Sequence, residues 1–267
     1  MTGESQPLAA LLATIDPIAV AVSGGVDSMT LATLAGRLPG ARATMFHAVS
    51  AAVPPDATAR VERTALREGW QLQLIRPGEL EHDAYVRNPV DRCLHCKRAL
   101  YTTIRPHTTA QIVSGANLDD LGDYRPGLIA ARESDVRHPY VEAGITKAGV
   151  RRIARELGLT DIAELPASPC LSSRVETGIP IAAPTLGRID AAERLLRAAT
   201  GAATVRCRVR HGGLAVEMDG EALARLTPAE RGRLGDEVRR LFGGNAAAPS
   251  FEPYRTGSAF VHSHGPD

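Results

Sequence analysis

Two groups of residues in this 267-residue chain have the types and spacing to do chemistry. The first is Ser23-Gly24-Gly25-Val26-Asp27-Ser28. It follows five small or branched apolar residues, Ile18 to Val22, and precedes Met29, Leu31, Ala32, Leu34, Ala35 and Leu38 at helical spacing. The pattern predicts a short strand buried on both faces, a glycine turn with no room for a bulky side chain, then a helix. That order aims backbone N–H groups and a helix N-terminus at an anion, here a phosphate of a nucleotide. The turn lacks the lysine and spacing of a Walker A loop, and the third glycine of the dinucleotide fingerprint.

The second group is the cysteines. Cys93-Leu94-His95-Cys96 has C-x-x-C spacing, and Cys170 lies in Ser168-Pro169-Cys170-Leu171-Ser172-Ser173-Arg174. No N-terminal stretch has the pattern of a signal peptide, so a reducing cytoplasm is expected, where spaced cysteines suggest metal or redox chemistry. The C-x-x-C suits half a zinc site, a dithiol redox pair or two cluster ligands. Three cysteines with no obvious fourth favour an iron–sulfur cluster with one iron left open. Zinc with a cramped His95, or a cluster-free reactive thiol, are the alternatives. A proline-led loop beside Arg174 keeps a Cys170 thiolate available. Cys207 alternates with Arg206 and Arg208 on an expected strand. If Arg206, Arg208 and Arg210 face a site or solvent, Cys207 and Val209 face the core. The arginines could then cradle a phosphate or form a solvated edge.

The elements that must position these residues read as α/β. Over about the first 165 residues, strand and helix patterns alternate as in a parallel sheet. Strands are expected at 18–22, 43–49, 71–75 and 111–114, and helices at 54–68, 93–104 and from a Thr146 cap through Leu157. Pro166, Pro169, Pro180 and Pro184 mark a hinge or a long functional loop. Beyond it come a helix over 189–199 and a hairpin of 205–209 with 214–218 around His211-Gly212-Gly213. A capping box at Thr227–Glu230 opens a helix to Phe242, and the tail from His262 is expected to be disordered. The expected domains are 1–175 and 176–267, a Rossmann-like parallel sheet and a smaller α+β domain.

Ligands of parallel sheets bind at the carboxyl ends of the strands. Besides 23–28, that places Ser50 near adenine or ribose, and brings in Ser114 to Asp120 with Asp123-Tyr124-Arg125-Pro126-Gly127 behind. Gly115 would let backbone approach the nucleotide. Asp27 or Asp120 could hold magnesium, while Asp119 serves equally as a loop cap. The histidines show no H-x-x-x-H spacing. Charge is balanced, 31 basic against 30 acidic side chains, which argues against a large nucleic-acid footprint. No apolar run has the length of a membrane span.

The Ser23–Ser28 turn resembles the pyrophosphate loop of the ATP-pyrophosphatase superfamily, whose members split ATP between the α and β phosphates and adenylate their substrate. Taken with NPVDRCLHCK, SGANLDDLGDYRPG, SPCLSSR, VRCRVRHGG and PYRTGS in this order, nearly the whole chain resembles the LarE-type sulfur transferases. The resemblance implies ATP-dependent adenylation of both carboxylates of pyridinium-3,5-biscarboxylate mononucleotide, followed by conversion to thiocarboxylates, with magnesium as cofactor. One branch of that family sacrifices the sulfur of the S-P-C cysteine and leaves dehydroalanine. The other carries sulfide on the open iron of a four-iron four-sulfur cluster. Cys93, Cys96 and Cys170 together resemble the cluster branch.

The same resemblance gives Asp27 and Cys170 catalytic roles and Ser23, Gly24, Gly25, Asp27, Ser28, Ser50 and Gly115 to ATP. Arg206 and Arg208 match the substrate-phosphate site, and Arg174 a further substrate position. It also implies a cytoplasmic homo-oligomer, a hexamer built from trimers, with an unidentified sulfur donor. The Gly257-Ser258-Ala259-Phe260 ending departs from the family's GSMN-like ending. Other classes that join such a loop to their substrates are an iron–sulfur tRNA thiolase, an ammonia-using ligase and a non-enzymatic nucleotide-binding module. The thiolase should carry a basic surface and extra cysteine pairs, and the ligase leaves the cysteines without a task.

Overall fold

A computed structural model describes residues 3–122, 125–244 and 246–255. In chain order the helices and strands are α1 Ser5–Ala13, β1 Ile18–Val22, α2 Val26–Arg37, β2 Ala43–Ala48, α3 Pro55–Glu68, β3 Gln71–Ile75, α4 Asp83–Val86, α5 Arg92–Ile104 and β4 Gln111–Ser114. There follow α6 Pro126–Glu133, α7 Pro139–Glu142, α8 Lys147–Glu156, α9 Thr160–Ala163, α10 Ala183–Thr200, β5 Val205–Arg210, β6 Gly213–Met218, α11 Gly220–Arg225, α12 Pro228–Leu241 and β7 Ser250–Pro253. They gather into two compact units. One holds Met1–Glu79 with Cys93–Ser168, the other Leu80–Arg92 with Pro169–Asp267.

In the first unit β3-β2-β1-β4 form a wholly parallel sheet with β1 inside it. All five residues of β1 are buried because both of its faces are covered. Ile18, Val20 and Val22 pack with Leu8 and Leu12 of α1, Met29 and Leu34 of α2, and Val150 and Ile153 of α8. Ala19 and Ala21, pointing the other way, pack with Phe46, Tyr101, Ile104, Ile112 and Ala130. This is the Rossmann-like α/β arrangement, with helices on both sides of one sheet.

The helix boundaries follow local chemistry. Pro55 opens α3, which buries Ala57, Val61, Thr64 and Ala65 on one face. The helix ends at Gly69, whose φ of 66° only glycine takes readily. Thr146 caps α8 by accepting from Gly149 N, and α8 buries Gly149, Val150, Ile153 and Ala154.

The second unit is built on a three-stranded sheet in the order β5-β6-β7. β5 and β6 form the expected hairpin, with Val205 opposite Met218 and Arg210 opposite Gly213. β7 adds a parallel strand to β6 that the sequence pattern does not reveal. The capping box of Thr227 and Glu230 opens α12. Segment 80–92 is woven into this unit. Asn88 Nδ2 donates to Glu176 O at 2.8 Å and Ile179 O at 2.9 Å, and the Tyr85 and Ser172 hydroxyls are 2.6 Å apart. Asn88 is fully buried at φ 54°, a conformation asparagine tolerates and branched residues do not.

Candidate phosphate turn and cysteine loop

The turn after β1 is shaped to offer amides. Gly25 precedes α2 with extended backbone, and no side chain caps the first turn of that helix. The carbonyls on the approach are tied elsewhere. Val22 O accepts from His47 Nδ1 at 2.8 Å, and Gly24 O accepts from Arg60 Nη1 at 2.8 Å. A carbonyl only accepts, so His47 carries its proton on Nδ1, and Nε2 accepts from Thr58 Oγ1 at 2.9 Å. Burial holds the His47 pKa below its ordinary value, in keeping with a neutral ring. Ser28 Oγ accepts from Ser23 N at 3.0 Å and lies 3.1 Å from Ser23 Oγ, which closes the turn on itself.

The three glycines of the site do different things. Gly24 sits at φ +84°, and a Cβ there would lie 2.9 Å from Ala57 O of α3. Gly115, after β4, approaches the first turn of α2 so closely that a Cβ would lie 2.9 Å from Ser28 N. Its close backbone approach is therefore to α2. Gly25 is open: the nearest atom to its Cβ position is Ser23 Oγ at 3.8 Å. The expectation that the protein itself leaves no room for a side chain holds at Gly24 and fails at Gly25.

Asp27 is a hub. Oδ1 accepts from Asn117 Nδ2 at 3.2 Å, Oδ2 pairs with Lys147 Nζ, and its carbonyl accepts from the Tyr140 hydroxyl at 2.9 Å. Asp120 accepts from Asn117 N at 3.1 Å and pairs with Arg125 at 3.0 Å, while Asp119 accepts from Lys147 N at 3.0 Å. The two carboxylates proposed for magnesium are thus engaged by protein donors. Ser50 Oγ accepts from Ala52 N at 3.1 Å in the turn after β2. Ser23, Gly24, Gly25, Asp27, Ser28, Ser50 and Gly115 all lie just past the carboxyl ends of the adjacent strands β2, β1 and β4. Asp123 and Tyr124 lie outside the described residues, as do Thr256-Gly257-Ser258, the Ala259-Phe260 ending and the tail from His262.

Lys147, Arg60 and His47 lie outside the segments that the sequence pointed to for the site, whereas Asn117 lies inside the expected Ser114–Asp120 segment. Lys147 carried a signal: a lysine at the first position of a helix opposes the helix dipole, a misfit that asks for a carboxylate partner.

The cysteines divide between the units. Cys93 and Cys96 are three residues apart near the start of α5, hence on one face, and both are half-buried. Cys170, also half-buried, precedes a single 3₁₀ turn, Leu171–Arg174, in the second unit. Three thiolates match the donor chemistry of an iron–sulfur cluster. Among the described residues, no three His, Cys, Asp or Glu side chains are gathered as a metal site. Cys207 is fully buried, and burial pushes its thiol pKa up, as a structural cysteine requires.

The arginines of β5 do not form a solvated edge. Arg206 and Arg208 are buried, so both faces of β5 are covered through Arg208, whereas Val209 is only half-buried. Arg208 pairs with Glu217 at 2.9 Å and donates to Ser173 O at 2.8 Å. Arg206 lies 5.7 Å from the centre of the Tyr254 ring and donates to Val205 O at 2.8 Å. Burial, then the Arg174 charge, pushes its pKa below the ordinary arginine value. Arg174, expected at a substrate position, directs its hydrogen bonds to Glu193 and to the Pro169–Ser173 loop.

The parallel sheet with helices on both sides, and the glycine turn that opens α2 at the end of its inner strand, make this a Rossmann-like α/β protein. No protein-family model matches the chain. An uncharacterised protein of Synechocystis sp. is 38% identical over 187 residues, 68% of this chain and 69% of that protein. The pyridinium-3,5-bisthiocarboxylic acid mononucleotide synthase of Lactiplantibacillus plantarum is 30% identical over 216 residues, 79% of this chain and 78% of the synthase. An uncharacterised protein of Methanocaldococcus jannaschii is 27% identical over 184 residues, 67% of this chain and 69% of that protein. The chain belongs to the family of that synthase, the LarE family. No described helix is long and apolar enough to cross a membrane.

Proposed function

We propose that this chain is an ATP-dependent sulfur transferase that converts the carboxylates of pyridinium-3,5-biscarboxylate mononucleotide to thiocarboxylates. The observation that carries the reading is the Ser23–Ser28 turn. Arg60 ties back Gly24 O within it, His47 ties back Val22 O just before it, and the amides at the start of α2 have no side-chain cap. Such a turn suits a departing pyrophosphate, because backbone donors stabilise the anion without supplying a proton. Membership in the family of a bisthiocarboxylic acid mononucleotide synthase supplies the substrate class.

The chemistry follows from the substrate. A carboxylate is a poor acyl donor. Its oxygen attacks the α-phosphorus of ATP, pyrophosphate leaves, and the acyl adenylate carries AMP as a good leaving group. A sulfur nucleophile then adds to the acyl carbon, and AMP departs with the former carboxylate oxygen. In this reading Ser23, Gly24, Gly25, Ser28, Ser50 and Gly115 shape the ATP site. Asp27 orients ATP there, and Asp27 or Asp120 would offer oxygen to magnesium on exchanging their present partners. Arg206 and Arg208 receive the substrate phosphate. Cys93, Cys96 and Cys170 would hold a four-iron four-sulfur cluster, which when bound would supply a sulfide-carrying open iron. In this reading residues 1–175, apart from the segments 80–92 and 169–175 that belong to the second compact unit, serve as the ATP-pyrophosphatase domain, and 176–267 with those segments as the substrate and oligomerisation domain of a cytoplasmic homo-oligomer.

The test is pyrophosphate release that requires both ATP and the dicarboxylate nucleotide, with sulfur replacing oxygen in the product by mass spectrometry. Anaerobic purification with iron and sulfide analysis identifies the sulfur source. Loss of iron from each single alanine variant of Cys93, Cys96 and Cys170 supports the cluster. Loss of sulfur from Cys170 in iron-free protein after one turnover would overturn it. Absence of substrate-dependent pyrophosphate release refutes the whole reading.

A further inference from the structure

Arg174 is 1% exposed, and its guanidinium is turned inward. Nε and Nη2 fork onto Glu193 of α10, reaching Oε1 at 2.8 Å and Oε2 at 3.1 Å. On the other side Nη1 reaches Pro169 O at 2.6 Å, Cys170 O at 3.0 Å and Ser173 Oγ at 3.1 Å. Glu193 is buried as well, and its Oε1 also accepts from Cys207 N on the edge strand β5 at 3.1 Å. One carboxylate on a rigid helix therefore links β5, the guanidinium and the cysteine loop.

The two main-chain carbonyls that Nη1 touches flank the Cα of Cys170. Pro169 O marks the peptide plane before that Cα and Cys170 O the plane after it. Holding both planes against one planar group sets φ and ψ of Cys170, here −57° and 155°. With the backbone set, the direction of the Cα–Cβ bond is set too, and χ1 alone remains to place the thiol. Arginine suits this task because its donors are fixed in one plane; a lysine ammonium offers no such fork.

The geometry points to Arg174 and Glu193 as a positioning pair for the Cys170 thiol. Glu193 fixes the plane of the guanidinium, and the guanidinium fixes the backbone on both sides of Cys170. The inference rests on the proposed role of Cys170 in sulfur transfer. It gives Arg174 a different task from the substrate binding that the family resemblance implies.

Glu193→Gln keeps the size of the side chain and removes its charge. In the full chain it should lower kcat for thiocarboxylate formation by about tenfold or more, because small misplacements of a reacting group are costly, and leave KM for the dicarboxylate nucleotide within about twofold. Glu193→Asp should recover part of kcat. A second readout needs no turnover. In chelator-treated full chain, the alkylation rate of Cys170 by iodoacetamide, measured against Cys93 in the same molecules by peptide mass spectrometry, should change in Glu193→Gln. Arg174→Lys, read in both assays, carries the same test if Glu193→Gln does not fold. A raised KM with unchanged kcat would show Arg174 to be a substrate ligand and overturn the inference. So would a wild-type alkylation ratio with wild-type kcat. If wild-type protein makes no thiocarboxylate, the proposed function fails, and the alkylation ratio still decides whether the pair positions Cys170.

Discussion

Alanine at Gly24, Gly25 and Gly115 should have three separable consequences, although all three glycines border one turn. At Gly24 two costs act together. The φ of +84° places any Cβ in a disfavoured region, and that Cβ would meet Ala57 O at 2.9 Å and Ala57 Cβ at 3.1 Å. Left-handed strain and overpacking should together destabilise Gly24→Ala by about 2–5 kcal/mol. Gly115 has no positive φ, but its Cβ would press on Ser28 N at 2.9 Å and Asp27 C at 3.0 Å, backbone atoms that cannot rotate away. Overpacking alone should cost Gly115→Ala about 1–3 kcal/mol. Gly25 has φ −85° and ψ 165°, ordinary extended backbone, with nothing closer than 3.8 Å. Gly25→Ala should leave stability unchanged or raise it by about 0.4–1 kcal/mol through a less flexible unfolded chain. Urea unfolding followed by circular dichroism ranks the three, and pyrophosphate release measures function in parallel. Gly25→Ala should fold like wild type and still lose pyrophosphate release, since the space it fills is where the anion would sit, and Gly25→Val should abolish it. A Gly24→Ala midpoint at the wild-type value, or a Gly25→Ala midpoint as low as that of Gly24→Ala, would refute the steric reasoning.

Lys147→Met should cost no more than about 1 kcal/mol of stability, because its pair with Asp27 is partly solvated, while pyrophosphate release falls about tenfold or more; equal activity would remove Lys147 from the site. Arg208→Ala removes one of the guanidiniums paired with the buried Glu217 carboxylate, so it should lower stability by about 3 kcal/mol in urea unfolding in addition to any loss of substrate affinity. Brief iodoacetamide treatment of chelated native protein should label Cys93, Cys96 and Cys170 and spare Cys207, whose thiol burial holds neutral; labelling of Cys207 would contradict its place in the core. Burial lowers the pKa of His47 and His138 below the ordinary 6.5, so below that pH the unfolded chain binds more protons than the folded one. Stability should therefore fall as pH drops from 6.5 toward 5, and His47→Gln should flatten part of that slope in urea titrations.

The sequence alone determined what local patterns can determine. The unbroken apolar run of 18–22, the alternation of strand and helix, the Thr146 and Thr227 caps and the turn between 210 and 213 are set by residues close together in the chain, and each appears where local chemistry puts it. Family membership was legible for the same reason, since short ordered motifs carry it. Tertiary structure decided the partners. Asp27 and Lys147 are 120 residues apart, and no periodicity announces their pairing. β7 pairs with β6 over only 4 residues ending at Pro253, too short a stretch to announce a strand, so only packing reveals it. The arginines of β5 could be read as a phosphate cradle or as a solvated edge, because alternation fixes which side chains share a face and not what covers that face. Glu193 on α10 and Glu217 on β6 bury two guanidiniums beside β5. A buried charge persists only where a distant opposite charge and several donors or acceptors converge on it, and that convergence exists only once the chain has folded.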